Sequence, residues 1–210
     1  MHIKAITAFS FFDKGSFNWN LRPDVNFLSG PNRSGKTSLL YSVAASHKDS
    51  FGIKDLLTVW SEIPKERDLL YIQAFTCGHH DLKILRENVL DIMYAIDPLT
   101  LTYIEGIVSN FGFRFTDYLY NKVTGIGESI GELRMIHLIL RLLLHTGNQP
   151  IIIDTPELGL DLNMQRLLIE RIRYICPDCQ IIVATHSPSI VGNRHDAITD
   201  ITKLWSNHGT

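Results

Sequence analysis

The sequence has few of the features that mark secreted, membrane-spanning or strongly nucleic-acid-binding proteins. Its three cysteines among 210 residues are too few for a disulfide framework, which fits a reducing cytoplasm. No apolar run is long enough to span a membrane, and the first residues lack a signal-peptide core. The formal net charge of −2 gives no overall basic field, so DNA binding is neither indicated nor excluded. We expect a cytoplasmic protein without membrane insertion.

The most specific motif is Gly30–Thr37, which reads Gly-Pro-Asn-Arg-Ser-Gly-Lys-Thr and fits the pattern G-x-x-x-x-G-K-[S/T] in full. A strand pattern precedes it and a helical pattern follows. Such a turn aims backbone N–H groups and the positive helix end at one point, which suits phosphate oxygens. Lys36 is predicted to reach the β- and γ-phosphates as a catalytic residue, and the Thr37 hydroxyl to bind Mg²⁺. The predicted nucleotide-binding residues here are Gly30, Pro31, Asn32, Arg33, Ser34, Gly35, Lys36, Thr37 and Ser38.

The spacing of apolar residues predicts an α/β protein with a mainly parallel sheet and flanking helices. Three successive isoleucines at 151–153 need cover on both faces, as in a parallel sheet. Aromatic residues around Gly15 predict a hairpin and hence an N-terminal antiparallel β part. Its first strand is predicted to place Ile3, Ala5 and Thr7 on one face. Strand patterns lie at 2–9, 24–29, 68–74, 150–154 and 180–185, with an edge strand at 197–205, and helical patterns lie at 81–96, 99–111, 129–145 and 161–175.

The middle of the chain, roughly residues 48–124, interrupts the alternation of strands and helices. Because two helical patterns lie within it, we expect this stretch to form a mostly helical lobe. The chain is therefore predicted to be a single domain, in which this lobe is inserted into a core formed by residues 1–47 and 125–210.

Polar residues end three of the predicted strands. Gln73, Asp154 and His186 each stand at or just after the end of an apolar run. Alone, such residues are ordinary strand terminators or solvated side chains, but ligands of open parallel sheets bind at this edge, where the phosphate loop also lies. Asp154 is predicted to hold Mg²⁺ directly or through water. Gln73 can add a carbonyl oxygen to Mg²⁺ or position water, and His186 can donate to the γ-phosphate.

These segments, taken in order, resemble the ABC-type ATPases, and specifically the branch with SMC, Rad50, RecF and the OLD-like ATPases. The order is the phosphate loop, a strand-end Gln, Ser-x-Gly-Glu, Ile-Ile-Ile-Asp, Leu-Gly-Leu-Asp and Ala-Thr-His-Ser-Pro. Those families use the segments as Walker A, Q-loop, signature, Walker B, D-loop and switch histidine. The resemblance covers nearly the whole chain and implies a P-loop NTPase fold of the ABC-ATPase type.

The resemblance also implies a head-to-tail homodimer with two ATP molecules between the subunits. The helix that begins at Ser129 would then face the ATP of the other subunit, with Ser129, Gly131 and Glu132 as binding residues. Asp161 of the D-loop segment joins this predicted site. From the residues alone, Ser129 and Glu132 also fit a capping box, in which they satisfy amides of their own helix.

The main departure from the family pattern follows Asp154. The family normally has a catalytic glutamate there, whereas this chain has Thr155, with an acid only at Glu157. Threonine cannot act as the general base for the attacking water. Either Glu157 takes part of that role, or His186 and Gln73 position water unaided, or ATP mainly holds the dimer together. We expect slow hydrolysis with Glu157 and His186 as catalytic residues.

Two smaller departures occur in the motifs. The signature begins Glu128-Ser129-Ile130-Gly131, where the family usually has Leu-Ser-Gly-Gly, but the serine and second glycine remain. Arg33 replaces a small residue of the phosphate loop, and it either reaches the α-phosphate or points to solvent.

Cysteine spacing leaves one metal site to consider. Cys176 and Cys179 have C-x-x-C spacing, and the segment containing Cys77, His79 and His80 could supply two more zinc ligands. The alternative is a plain turn between the helix at 161–175 and the next strand, and we favour that turn.

The resemblance leads to three hypotheses for function. The first is an ATP-driven dimerisation switch that acts on DNA or on a separate effector protein in DNA repair or anti-phage defence. The second is a non-hydrolysing ATP-dependent scaffold for a partner, and the third is a transporter ATPase subunit. The chain has neither heptad arms like those of SMC and Rad50 nor room after His186 for the Toprim nuclease of OLD proteins, so we expect a minimal head.

Overall fold

The structure is a computed structural model that describes residues 2–8, 11, 15–47, 57–61, 69–73, 79–110, 130–145 and 147–206. Within these ranges the strands are β1 (Ile3–Ala8), β2 (Phe17–Asn20), β3 (Val25–Ser29), β4 (Leu57–Ser61), β5 (Leu70–Gln73), β6 (Ile151–Asp154), β7 (Ile181–Ala184) and β8 (Ile198–Asp200). The helices are α1 (Lys36–His47), α2 (His79–Ala95), α3 (Pro98–Ser109), α4 (Ile130–Leu143), α5 (Leu162–Ile175), α6 (Pro188–Val191) and α7 (Ile201–Ser206), with a 3-10 helix at His195–Ala197. None of the helices described here is long and apolar enough to cross a membrane.

A five-stranded sheet in the order β5-β6-β7-β3-β8 forms the centre of the fold, and its neighbouring strands are parallel. The isoleucines of β6 are buried. Ile151 and Ile153 pack in one apolar cluster with residues of α4 and α5, and Ile152 packs in a second cluster with residues of α1. Helices therefore cover both faces of the sheet, which confirms the predicted α/β class.

The register of the sheet aligns the strand ends on which the site depends. Asp154 lies beside Gln73 on one side and beside Ala184 on the other. Leu28, two residues before Gly30, also lies beside Ala184. Because these strands run in the same direction, the residues that follow them meet at one edge of the sheet.

A second sheet, β2-β1-β4, is antiparallel, and the pairing of β1 with β2 confirms the predicted hairpin. The tip of the hairpin lies outside the described residues. The prediction that Ile3, Ala5 and Thr7 share a face was wrong. Instead, Ile3, Ile6 and Ala8 are buried in one cluster. The register with β4 shifts between Ile3 and Ala5, and such a bulge turns the following residues to the opposite face.

The middle of the chain contributes strands as well as helices. α2 and α3 lie within this stretch and pack against α4. β5 confirms the strand predicted at 68–74 and forms one edge of the parallel sheet, whereas β4, which was not predicted, joins the antiparallel sheet. The division into a core and an inserted lobe stays a prediction.

The edge strand predicted at 197–205 is confirmed only for β8, because α7 follows it directly. The side chain of Asp200 explains the change of structure. Its Oδ1 accepts hydrogen bonds from the N–H of Thr202 at 2.9 Å and from the hydroxyl of Thr202 at 2.7 Å. A carboxylate in this position satisfies an amide that the first helical turn would leave unpaired, so a helix begins here.

Candidate functional site

The phosphate loop connects β3 to α1, as predicted, and its backbone requires glycine at two positions. Gly30 has φ +144° and Gly35 has φ +99°. A Cβ on Gly30 would lie 2.6 Å from Cγ2 of Ile201, so no larger residue fits there without displacing α7. Arg33 also has positive φ, at +63°, and its side chain is exposed. The loop thus has a compact form that follows from its sequence.

Lys36 is buried at the start of α1 and lies over its own loop. Its Nζ donates hydrogen bonds to the carbonyl oxygens of Gly30 at 2.9 Å and Pro31 at 3.0 Å. Burial lowers the pKa of Lys36, and the nearby carboxylates of Asp154 and Glu157 offset part of that effect. The ammonium group therefore lies where a phosphate oxygen would relieve the cost of its burial.

Asp154 carries the clearest sign of a ligand-binding site. Its side chain is 1% exposed, and its Oδ1 has no hydrogen-bond partner among the described residues. Burial raises the pKa of Asp154, although a hydrogen bond from the Thr37 hydroxyl and the charge of Lys36 counteract this. A buried carboxylate oxygen without a partner is costly and calls for a cation or a donor.

The residues around that oxygen fit Mg²⁺. A carboxylate and a hydroxyl are ligands that Mg²⁺ takes at nucleotide sites, where phosphates and waters supply the rest. Against the effect of burial, the Thr37 hydroxyl lowers the pKa of Asp154, so the two side chains are near enough to serve one ion. The backbone of Gln73 pairs beside Asp154 in the sheet, but the Gln73 side chain lies outside the described part of the structure.

Glu157 is held against the end of β7. Its Oε2 accepts a hydrogen bond from the Thr185 hydroxyl at 2.9 Å, and its Oε1 accepts one from the N–H of His186 at 2.7 Å. The Glu157 charge acts on both Lys36 and Asp154. The structure therefore brings Glu157 near the phosphate loop and commits both of its carboxylate oxygens to the segment with the predicted switch histidine.

Thr155, which replaces the expected glutamate, has an unusual backbone conformation. Its φ is +48°, a region that β-branched residues rarely adopt. Its N–H donates to the carbonyl of Ala184 at 2.8 Å, so this turn is fixed to the end of β7. Strain of this kind often occurs at functional sites.

His186 is exposed at the end of β7, and its charge acts on Asp154. It lines a cavity of about 240 Å³ whose other walls include Ser29 and Gly30. The predicted switch histidine and the first glycine of the phosphate loop thus border the same space.

The predicted signature and D-loop segments also meet. A Cβ on Gly159 would lie 3.4 Å from both the Cα and N atoms of Gly131, and Arg134 Nη1 donates to the Leu158 carbonyl at 2.6 Å. Asp161 caps α5 through Oδ1, which accepts from the amides of Asn163 and Met164 at 2.8 and 2.9 Å. Ser129 and the side chain of Glu132 lie outside the described residues, so the capping box and their nucleotide role stay predictions.

The C-x-x-C segment forms a turn after α5. Cys176 and Cys179 are free and buried, and the Cys179 amide donates to the Cys176 carbonyl at 3.4 Å. Within the described ranges, no group of three His, Cys, Asp or Glu side chains could hold a metal. Cys77 lies outside those ranges.

Sequence reasoning missed three side chains that support the site. The motif Ala-Thr-His-Ser-Pro contained Thr185 and Ser187, but only the structure shows that Thr185 holds Glu157 and that the Ser187 hydroxyl donates to Gln165 Oε1 at 2.6 Å. Trp205 Nε1 donates to the Ser34 carbonyl at 3.2 Å. The two members of each pair lie far apart in the chain, and no local pattern indicates such a contact.

Comparisons with known proteins agree with this geometry. The family described as "AAA domain, putative AbiEii toxin, Type IV TA system" matches residues 112–192. No curated protein matches the chain in sequence. The SMC head domain from Thermotoga maritima is similar in structure, with a TM-score of 0.58 and 11% identity over 95% of this chain and 94% of that chain.

Two cassettes of ABC transporters are similar as well. A nucleotide-free ATP-binding cassette gives a TM-score of 0.58 and 17% identity over 95% of this chain and 88% of its own. Another ATP-binding cassette, in its ADP conformation, gives a TM-score of 0.53 and 15% identity over 90% of this chain and 83% of its own. At these identities the likeness concerns the fold, which is that of a P-loop NTPase of the ABC-ATPase type. The family match over residues 112–192 and the shared fold agree with the predicted resemblance to ABC-type ATPases.

Proposed function

We propose that the chain is an ATP-binding subunit that forms a head-to-tail dimer around two Mg-ATP molecules and acts as a nucleotide switch. The observation that carries the nucleotide site is the buried Oδ1 of Asp154, which has no hydrogen-bond partner among the described residues and belongs to a carboxylate whose pKa, raised by burial, the Thr37 hydroxyl lowers. Lys36, buried on the same loop, supplies the positive charge. A phosphate, a hydroxyl-bearing loop and a carboxylate are the surroundings in which Mg²⁺ binds.

Each side chain of the site has a distinct task in this proposal. Lys36 exchanges its bonds to the Gly30 and Pro31 carbonyls for bonds to phosphate oxygens. Thr37 and Asp154 hold the magnesium ion, which neutralises phosphate charge when bound. His186, exposed beside the phosphate loop, donates to the γ-phosphate. Gln73 adds an oxygen to the metal or positions water.

The dimer is proposed from the signature and D-loop segments. Gly131, at the start of α4, lies against Gly159, so the two segments are in contact. The N-terminal end of α4 is positively polarised and attracts an anion. We propose that Ser129, Gly131 and Glu132 meet the ATP of the other subunit there, with Asp161 beside them.

We further propose that the output is delivered to DNA or to a separate effector protein. The name of the matched family refers to a toxin of a Type IV toxin–antitoxin system, which supports a defence role. The resemblance of the sequence motifs to the SMC and Rad50 branch favours DNA repair as the other setting. Both settings belong to the cytoplasm.

Hydrolysis is proposed to be slow, with Glu157 assisting. Thr155 offers no general base, and both Glu157 oxygens already accept hydrogen bonds from Thr185 and His186. The same observation favours a second candidate, a non-hydrolysing scaffold that ATP holds together around a partner protein.

One experiment separates these candidates. Molar mass by light scattering and phosphate release would be measured on the same samples with Mg-ATP, for wild type, Lys36→Ala, Ser129→Arg and Glu157→Gln. Thr102→Arg, which places the same charge on an exposed position of α3, is the control for Ser129→Arg. We expect wild type and the control to dimerise with ATP, and Lys36→Ala and Ser129→Arg to stay monomeric. A wild-type chain that stays monomeric at saturating ATP contradicts the dimer.

Phosphate release then assigns the mode of action. If wild type releases phosphate and Glu157→Gln stops the release but keeps the dimer, the chain is a hydrolysing switch. A dimer that releases no phosphate supports the scaffold.

A further inference from the structure

The segment formed by β8 and α7 packs against the phosphate loop. β8 pairs beside β3, with Asp200 next to Ser29, so the segment reaches the loop at its first residue. A Cβ on Gly30 would lie 2.6 Å from Cγ2 of Ile201 and 3.7 Å from Oδ1 of Asp200. The absence of a side chain at Gly30 therefore lets the β8–α7 segment pack directly on the loop backbone.

Trp205, on α7, contacts the other end of the same loop. Its Nε1–H donates a hydrogen bond to the Ser34 carbonyl at 3.2 Å, across 171 positions of sequence. A Cβ on Gly35 would lie 3.8 Å from Cζ2 of the indole, so the ring covers the second loop glycine. The segment thus contacts the loop at both of its fixed glycines.

The indole of Trp205 is itself fixed by aromatic residues of the N-terminal β part. It stacks on Phe11 with ring centroids 5.8 Å apart and 8° between the planes, and it meets Phe17 edge to face at 4.8 Å and 88°. Phe11 and Phe17 are buried. Such pairs are favourable beyond their burial, so the indole cannot swing away from the loop without breaking them.

We propose that Trp205 is a positioning residue that keeps the phosphate loop in its anion-binding form and ties it to the N-terminal hairpin. A carbonyl oxygen repels phosphate, and the bond to the indole holds the Ser34 carbonyl in place. Loop amides then stay available for phosphate without reorganisation on binding, which favours affinity. The effect on affinity rests on the proposed nucleotide-binding function, whereas the fixing of the loop is a property of the nucleotide-free chain.

The variant Trp205→Phe tests this inference, because phenylalanine keeps an aromatic ring and removes the N–H donor. Trp19→Phe is the matched control: Trp19 Nε1 donates to Thr199 Oγ1 at 3.0 Å, so that variant loses an indole bond to the same segment but no contact with the loop. Hydrogen exchange of the amides of Gly30 and of residues 32–38 would be measured without nucleotide. We expect exchange about fivefold faster in Trp205→Phe and unchanged in Trp19→Phe.

Calorimetric titration with Mg-ATP then measures the consequence for binding. We expect a Kd about fivefold weaker in Trp205→Phe than in Trp19→Phe, at similar melting temperatures. Unchanged loop exchange in Trp205→Phe overturns the inference, as does faster exchange with unaltered affinity. Failure of the wild-type chain to bind Mg-ATP would overturn the proposed function instead, while the exchange comparison would still decide whether Trp205 fixes the loop.

Discussion

The hydroxyl of Thr185 donates a hydrogen bond of 2.9 Å to Oε2 of Glu157, and so fixes the acid of the predicted site to the end of β7. Thr185 is buried, which makes this bond to a charged group stronger than one at the surface. The pair connects the turn after β6 with the segment that carries His186.

Replacing Thr185 with valine removes this bond and keeps the shape of the side chain. We expect the free energy of unfolding to fall by about 1–3 kcal/mol, because Glu157 loses a donor and the N–H of Ser187 loses the Thr185 hydroxyl as its acceptor. Urea denaturation of Thr185→Val, Glu157→Gln and the double variant would measure the coupling between the two residues. We expect a coupling of at least about 1 kcal/mol, and strictly additive effects would contradict the pairing.

Replacing Gly30 with alanine should destabilise the protein by at least about 2 kcal/mol and abolish nucleotide binding. The new Cβ would lie 2.6 Å from Ile201, and φ of +144° disfavours any residue with a side chain. Gly106→Ala is the control, because a Cβ there meets nothing within 4 Å and the residue lies inside α3. Gly106→Ala should raise the free energy of unfolding by about 0.5–1 kcal/mol, as measured by urea denaturation. Equal effects of the two substitutions would refute the assigned loop geometry.

Stability should fall with acid because of His137 on α4. Burial, and secondarily the charge of Arg141, lower the pKa of His137 to about 4, below its ordinary value of 6.5. The unfolded chain therefore binds the proton more readily, and the native state loses stability as pH falls from about 6.5 to about 4. The loss is on the order of 3 kcal/mol.

Urea denaturation of wild type and His137→Gln between pH 7 and pH 4 checks this. The variant should lack that part of the pH dependence, even if it is less stable at pH 7. Parallel stability curves for the two proteins would show that His137 is not the group responsible.

How much of this fold and site the sequence predicts depends on how local each interaction is. The loop Gly30–Thr37 is predictable because backbone torsions and fixed spacing determine it within eight residues. Asp154 is predictable because an acid that ends an apolar strand of a parallel sheet stands at the edge where ligands bind. The edge shared with Gln73 then follows from the parallel arrangement of the sheet.

Other features depend on tertiary contacts that no local pattern encodes. The bulge after Ile3 reversed the expected faces of β1, since one shifted pairing changes every later side chain. The bond from Trp205 to Ser34 spans 171 positions. The hydrogen bond from Thr185 to Glu157 forms because two strand ends meet in space. The role of Thr185 is therefore visible only in the folded structure.

Asp154→Asn should separate metal binding from folding. In the protein without Mg²⁺ and ATP, the amide removes a buried charge whose Oδ1 has no hydrogen-bond partner among the described residues. We therefore expect the melting temperature to stay the same or rise. Mg-ATP should raise the melting temperature of wild type, through binding to the native state, and have little effect on the variant. A variant that Mg-ATP stabilises as strongly as wild type would rule out Asp154 as a metal ligand.

Thr155→Glu tests whether the missing general base limits hydrolysis. A positioned base contributes about 10²–10⁴-fold to such reactions, so even partial restoration should raise the rate of phosphate release at least about tenfold. Thr155→Gln, of the same size and without a base, is the control and should leave the rate at the wild-type level. Glu157→Gln should then have less effect in the Thr155→Glu background than alone, because the new acid takes over the task. If Thr155→Glu and Thr155→Gln release phosphate equally slowly, the turn at φ +48° excludes a base from this position, and the ATP-held scaffold is the better account of the chain.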